Sequence, residues 1–428
     1  MRVYLETVGC RLNQSEIESI GSQFRTLGHE LVAQPGLADL AVINTCAVTA
    51  KAAADSRQLA RRTVRLGAGE VVLTGCWATL EPQEAAAIPG VTGVVPNLNK
   101  ERLAADLLQV PPELFDLEPV ERQLLPGARL RTRAFIKAQD GCDNRCTFCI
   151  TTIARGPGRS RPVRSILADV RAAAAGGAQE IVLTGVHLGS WGKEFSPQTR
   201  IEALIRTILD ETEIPRIRLS SLEPWDLDRQ FFTLWQDQSR LCRHLHLPLQ
   251  SGSDRTLRRM ARKTTQRSFE HLVQAARAVS PQIAVTTDLI AGFPGETEEE
   301  FSETLEYVRR MDFAGAHIFP YSPRRGTAAA AMPAQVPERV RAERCARLRS
   351  AISISEASYR NRFLGRRLDV LWESAASLQP DGWHLLGQAD NSLRIEAVAP
   401  KQMWNVISPV DITGIGEDRL FGNLAEGA

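Results

Sequence analysis

No stretch of the 428-residue chain is apolar over the length needed to cross a bilayer, and Met1 to Thr7 lacks the apolar core of an export signal. A spanning helix takes about 20 consecutive, mostly apolar residues, and a secretory leader carries a continuous apolar segment behind a basic start. A cytoplasmic protein is therefore expected, in a compartment where thiols stay reduced. Neither charge dominates: 52 Lys and Arg face 50 Asp and Glu, a formal net charge of +2. Attraction for an anionic partner must come from local patches. A hydrophobic content of 43% and a charged content of 24% are those of an ordinary globular chain, long enough for two or three domains. A fourth metal ligand is also missing: neither His nor another Cys lies within thirty residues of the trio Cys142, Cys146 and Cys149, whereas structural zinc takes four ligands.

What is present is that trio, in the stretch Gly141-Cys142-Asp143-Asn144-Arg145-Cys146-Thr147-Phe148-Cys149, directly after the strand-like run Ala134 to Ala138. Three thiolates on one loop suffice to hold three irons of a cubane cluster and leave the fourth iron open to a substrate. A zinc site or three separate buried cysteines are the plainer readings. The C-x3-C-x2-C spacing, with an aromatic residue before the last cysteine, resembles the signature of radical S-adenosylmethionine (SAM) enzymes. That resemblance implies a 4Fe-4S cluster whose open iron binds SAM and whose electron cleaves it to a 5′-deoxyadenosyl radical.

Three apolar runs near the start, 3–5, 40–43 and 71–73, are each followed by a helix-forming segment, at about 14–28, 49–66 and 80–88. This alternation predicts a parallel α/β sheet. Cys10, Cys46 and Cys76 each fall just beyond the carboxyl end of one of these strands, the edge where open α/β sheets bind ligands. Singly, each reads as a small buried hydrophobe. Together they argue for a second cluster, with Gly9 and Gly75 allowing tight turns.

With two three-cysteine sets, the chain resembles the radical-SAM methylthiotransferases over nearly its whole length. Cys10, Cys46 and Cys76 match the family's auxiliary-cluster ligands, and Cys142, Cys146 and Cys149 its SAM-cluster ligands. The resemblance implies two 4Fe-4S clusters, SAM, and an electron donor such as flavodoxin or ferredoxin. The family commonly has a proline shortly after the third cysteine, where this chain has Thr151-Thr152; that departure bears on the local loop geometry.

Residues 1–110 are thus expected to form an α/β domain holding the auxiliary cluster, and the Pro-rich segment 110–127 a linker. Residues 128–360 are expected to form a partial (β/α)6 radical-SAM barrel, with strands at 134–139, 180–184, 215–220, 243–248, 283–290 and 314–320. Helices are expected at about 164–176, 199–210, 228–238, 254–278 and 297–311. Chemistry in such barrels sits at the carboxyl ends of the strands. Segments there resemble family motifs and give Phe148, Thr184, Gly185, Glu223, Gln250, Asp288 and Gly292 as candidate SAM contacts. His187 and His246 read equally well as satisfied core histidines. Thr297 to Glu300 reads as a helix capping box.

Residues 361–428, with short strand-like runs at 368–373, 383–387, 392–396, 405–407 and 411–414, predict a small all-β barrel resembling the RNA-binding TRAM domain. It is more acidic than basic, poor for phosphate. Nine basic residues between Arg129 and Arg164 (Arg129, Arg131, Arg133, Lys137, Arg145, Arg155, Arg159, Arg161 and Arg164) face only Asp140 and Asp143. A second run is Arg255, Arg258, Arg259, Arg262, Lys263 and Arg267. These are solvated faces or, around the cluster loop, a surface for nucleic acid. Cys242 and Cys345 read as structural.

Gly9-Cys10-Arg11-Leu12-Asn13-Gln14 and Ile43 to Thr49 look most like the family branch that methylthiolates C2 of N6-threonylcarbamoyladenosine next to the anticodon of tRNA. The expected partner is the anticodon stem-loop, with no membrane and no DNA. The isopentenyladenosine branch, a ribosomal-protein side chain as substrate, and a non-enzymatic iron–sulfur RNA-binding protein are the alternatives.

Overall fold

The computed structural model describes residues 1–115, 121–126 and 132–425. Five parallel strands form the first sheet: β1 (Arg2–Thr7), β2 (Glu30–Val32), β3 (Leu40–Thr45), β4 (Glu70–Gly75) and β5 (Gly93–Val95), in spatial order β2-β1-β3-β4-β5. The central strand β3 is buried along its whole length, which is why Leu40 to Ile43 form a continuous apolar run. Edge strands β2 and β5 have three residues each, too short to leave a pattern in the sequence. The expected helix at 80–88 is two short helices, Cys76–Leu80 and Pro82–Ala86, divided just before Pro82, whose ring cannot continue a helix interior.

The second unit begins with β6 (Arg133–Lys137), then a two-stranded ribbon of β7 (Gln139–Asp140) with β8 (Arg159–Ser160). It continues through β9 (Glu180–Thr184), β10 (Arg216–Leu219), β11 (His244–His246), β12 (Ala284–Ala291) and β13 (Gly315–Pro320). Parallel pairing gives β10-β9-β6 and β11-β12-β13, and bridges Ile217–Leu241 and Ser221–His246 join the halves into one open sheet of six strands. All six expected strands are present. The expected helix 228–238 shrinks to Leu234–Asp237, and 254–278 divides into Asp254–Arg259 and Gln266–Val279 around Ala261, at φ +53°. The helix Glu338–Asn361 was not anticipated.

Strand alternation sorts the two faces of this curved sheet. Ile136, Ile181, Leu183, Ile217, Leu219, Leu245, Val285 and Leu289 point outward into the core beneath the helices. The opposite, inner face carries Arg133, Glu180, Arg218, His244, His246, Thr286, Asp288 and His317, as the strand registers require. The open barrel thus has a polar lumen.

Five antiparallel or mixed strands, β14 (Arg367–Gln379), β15 (Gly382–Ala389), β16 (Arg394–Ala399), β17 (Ile407–Ile415) and β18 (Leu420–Leu424), close into the expected carboxyl-terminal barrel, in order β14-β15-β16-β18-β17. Run 411–414 lies within β17, the expected strand 405–407 is mostly a turn that meets β17 only at Ile407, and β18 was not foreseen. This barrel caps the amino-terminal ends of the six parallel strands. Arg218 bonds the carbonyls of Ala389 and Asp390 and the Ser392 hydroxyl, Arg216 bonds the carbonyl of Asp369, and Arg243 pairs with Asp390 at 2.6 Å. No described helix is long and apolar enough to cross a membrane.

The linker expectation is only half met. Residues 116–120 and 127–131 lie outside the described residues, but Arg122 pairs with Glu18 at 2.9 Å and Arg25 bonds the carbonyls of Gln123 and Leu124. The described linker residues dock on the helix Arg11–Thr26.

A larger correction concerns the basic run, since two of its members are buried between the units. The Glu16 carboxylate, 2.7 Å from Lys100 Nζ and 2.8 Å from Arg155 Nη1, sits 3.5 Å from Lys137 Nζ; Asp140 takes 2.8 Å and 2.9 Å contacts from Arg155 and Lys137. All five side chains are nearly inaccessible. Burial alone would raise the Glu16 carboxyl, but Lys100, Arg155 and Lys137 pull it well below the ordinary glutamate range. Arg161 and Asp169, Arg259 and Glu300, and Arg255 and Glu303 also pair. Removing one partner of a buried pair strands the others. Glu16→Ala should therefore cost about 3–5 kcal/mol, read from the urea midpoint. The depressed Glu16 value places its contribution above the unfolded glutamate pKa of about 4.3. Stability should fall as the pH drops below that value, and Glu16→Gln should weaken this acid limb.

Candidate cluster sites and the barrel lumen

The loop Gly141–Cys149 leaves the carboxyl end of β6 through the ribbon. Gly141 adopts φ +68°, and a Cβ there would meet the Pro157 carbonyl oxygen at 1.8 Å, so only glycine fits. The basic stretch after the loop clamps it: the Cys142 amide donates to the Gly156 carbonyl (3.0 Å), and the Gly158 amide to the Asp143 carboxylate (3.2 Å). From the other side, the Thr147 amide donates to the Met260 carbonyl at 3.1 Å. Thr151 opens the helix Thr151–Arg155. Burial pushes the Cys149 thiol up, while the Thr152 and Thr151 amides oppose this. A proline at either position would have no amide to offer, so the departure from the family pattern leaves an ordered loop.

Each thiol of this loop has its own surroundings. Cys142 Sγ lies 3.8 Å from His187 Nδ1, and the Asn144 amide donates to it at 3.5 Å. The other ring nitrogen of His187 pairs with Asp226. Burial lowers the imidazole, but the bonds to Asp226 and Cys142 outweigh it and raise His187 to about 9. Cys146 Sγ lies 3.8 Å from Arg262 Nη1. Burial raises that thiol and Arg262 draws it back. Arg262 also grips Glu223 through two contacts (2.6 and 3.1 Å) and stacks over Trp225 at 4.4 Å.

The first-domain cysteines follow neighbouring strands. Cys10 precedes the helix Arg11–Thr26 after β1, Cys46 follows β3, and Cys76 opens a helix after β4. Gly9, at φ +114°, lets the backbone come so close that a Cβ would touch Cys46 Cβ and Sγ at 2.7 Å. Asn13 Nδ2 ties the Val8 and Thr45 carbonyls together (2.8 and 3.1 Å), and Asn97 Nδ2 reaches Cys76 Sγ at 3.5 Å. Burial, then the neighbouring Cys10 and Cys76, push the Cys46 thiol up to about 11. The two loops are close partners, for Arg155, six residues after Cys149, also donates to Asn13 Oδ1 at 2.8 Å.

Among the described residues no three His, Cys, Asp or Glu side chains close on a single point as one metal ion requires. Both sets are purely thiol, and burial raises Cys46 in the first and Cys146 and Cys149 in the second. A buried thiolate needs a cationic partner, and soft all-sulfur donors suit an iron–sulfur cluster.

The remaining candidates lie along successive strand ends. Thr184 is buried, and Gly185 packs against Gln139, whose Oε1 accepts the His187 amide at 2.8 Å. Glu223 is occupied by Arg262. Gln250 adopts φ +77° and donates its amide to the Asp288 carbonyl; the Asp288 carboxylate is 3.2 Å from His246 Nε2. Phe148 packs edge-on against Phe293, and Gly292 turns at φ +73° beside Arg341. Cys242 and Cys345 are buried, away from both cysteine sets. Sequence reading missed the functional contacts of Arg262, Trp225 and Asp226. Trp225 and Asp226 come two and three residues after the candidate Glu223, which was the available signal. Asp226→Asn should drop the His187 pKa from about 9 toward the ordinary value of about 6.5, followed by NMR titration of the metal-free protein.

Comparison with known proteins agrees with this geometry. Residues 136–308 match the radical SAM superfamily, and residues 2–96 match a family described as uncharacterized protein family UPF0004. The threonylcarbamoyladenosine tRNA methylthiotransferase MtaB of Bacillus subtilis is 35% identical over 424 residues, covering 97% of this chain and 94% of that one. A tRNA-2-methylthio-N(6)-dimethylallyladenosine synthase of Maricaulis maris is 32% identical, covering 99% of this chain and 97% of its own. In fold, the chain resembles the radical S-adenosylmethionine methyltransferase TsrM from Kitasatospora setae, at TM-score 0.58 and 16% identity over 77% of each chain. Extended identity of this kind, over both cysteine-bearing units, means that the chain belongs to the radical-SAM tRNA methylthiotransferases.

Proposed function

We propose that this enzyme methylthiolates C2 of N6-threonylcarbamoyladenosine beside the anticodon of tRNA. The observation that carries the reading is the 35% identity to the threonylcarbamoyladenosine enzyme across 97% of the chain. The two all-thiol sets and the Cys10-Arg11-Leu12-Asn13-Gln14 stretch support it. Cys142, Cys146 and Cys149 would hold the SAM-binding 4Fe-4S cluster, and Cys10, Cys46 and Cys76 the auxiliary one. When bound, these clusters and SAM supply the radical that removes an unactivated C–H hydrogen, and the sulfur and methyl group that replace it, chemistry beyond side-chain acids and bases.

The chain's own residues set the stage. Arg262 faces Cys146 and His187 faces Cys142, each placing positive charge beside a thiolate. Thr184, Gly185, Glu223, Gln250, Asp288, Gly292 and Phe148 line or support the strand ends where SAM would lie. Arg145, Lys263, Arg324 and Arg325 form no ion pair among the described residues and suit the phosphates of a stem-loop. Residues 1–110, 128–360 and 361–428 are the functional units of this reading. The cytoplasm, with flavodoxin or ferredoxin as electron donor, is its setting.

The test is mass spectrometry of tRNA nucleosides from a host without this activity, with and without this chain. Appearance of 2-methylthio-N6-threonylcarbamoyladenosine, abolished by Cys142→Ala or Cys46→Ala, is the expected result. Methylthio-dimethylallyladenosine instead would move the enzyme to the sister branch. No tRNA change would turn attention to ribosomal proteins, and RNA binding without SAM cleavage to a non-catalytic role. Cys46→Ala should also lose one cluster's iron and sulfide while keeping the other's, measured by metal analysis.

A further inference from the structure

Arg11 immediately follows Cys10 and opens the helix Arg11–Thr26. One turn further on, the Ser15 hydroxyl accepts the Lys137 amide at 3.1 Å, at the carboxyl end of β6. Positions four apart share a helix face, so Arg11 is turned toward the barrel at the open side bounded by β6 and β13. Its guanidinium is within electrostatic reach of Arg133, Glu180 and Arg218 at the floor of the lumen and of His244 and His317 on its wall. These five belong to five different inward-facing strands, and only a group standing in the lumen can neighbour all of them.

The charge of Arg11 is unanswered there. It is open to solvent and makes no hydrogen bond or ion pair among the described residues. The other inward charges are taken: Arg218 by Glu180 (2.6 Å), Arg133 by Glu373 (2.8 Å) and Asp288 by His246 (3.2 Å). The lumen therefore presents one unmatched cation beside an auxiliary-site cysteine.

We propose that Arg11 is the specificity-determining residue of the lumen and pairs with the carboxylate of the substrate's threonylcarbamoyl group. The assignment rests on the threonylcarbamoyladenosine reading and deepens it. That nucleoside carries a carboxylate on its N6 substituent, whereas dimethylallyladenosine carries a hydrocarbon. A guanidinium meets a carboxylate through two parallel N–H···O bonds. Facing a hydrocarbon it would be desolvated without a partner, so one residue both selects one substituent and rejects the other. A backbone phosphate offers similar anionic oxygens, and the test separates the two.

The experiment measures equilibrium binding and kcat/KM of the cluster-loaded enzyme on anticodon stem-loops carrying threonylcarbamoyladenosine, its threonine methyl ester, or dimethylallyladenosine. Wild type should prefer the free acid over the ester by on the order of 100-fold. Arg11→Gln should fall to the ester level on the acid and cease to distinguish the two, and Arg11→Lys should recover part of the difference. Wild type treating acid and ester alike, or Arg11→Gln keeping the preference, would overturn the assignment. An equal loss on both loops would mean a phosphate contact and overturn it too. The wild-type comparison stands even if the variant loses iron. Wild type active only on the dimethylallyl loop would refute the substrate reading itself, a result distinct from all of these.

Discussion

A single buried carboxylate, Glu16, holds the two halves of this enzyme's machinery together. It lies one and a half turns after Cys10 on a helix of the first domain, yet its partners Lys137 and Arg155 belong to the strand before and the helix after the second cysteine loop. Lys100, from the turn Asn97–Arg102 that follows β5, completes the cage. Buried charges are tolerated only when answered at close range, so none of these groups can shift alone. Electrostatic necessity thereby fixes the spacing of two cysteine sets that belong to different domains of the chain.

The rest of the architecture follows from parallel strands. A parallel sheet delivers every strand's carboxyl end to one edge, and both units use that edge for cysteines. The amino-terminal ends are then free for another purpose, and the carboxyl-terminal barrel covers them, its carbonyls accepting from Arg216 and Arg218. Between floor and cysteine loops lies a lumen walled by polar side chains, with the apolar residues turned outward beneath the helices. That inversion of the usual inside and outside leaves a polar space within a barrel that still has a well-packed core.

Much of this was legible in the sequence. Strands carrying continuous apolar runs, such as Leu40 to Ile43 of β3 and Ile181 to Leu183 of β9, announced themselves, and the two cysteine trios stood at strand ends. Three-residue edge strands carry too little periodicity to be seen. Helix 254–278 looked continuous because the left-handed turn at Ala261 uses no glycine. Charge was the most misleading signal: Lys137 and Arg155 looked like an RNA-facing surface because their neutralising partner, Glu16, is distant in sequence. The same holds for Arg262, whose place beside Cys146 depends on chain reversal between β11 and the following helices. Sequence shows what charges exist; only the fold shows which of them cancel.

If the buried cage does join the halves, the first domain cannot open by itself. Native-state hydrogen exchange across low concentrations of denaturant measures this directly, by comparing the slowest amides of the helix Arg11–Thr26 with those of β6 and β9. The account predicts one shared opening free energy and one shared denaturant slope for all three elements. A first-domain helix that exchanges through a separate, smaller opening while β6 and β9 remain protected would contradict it.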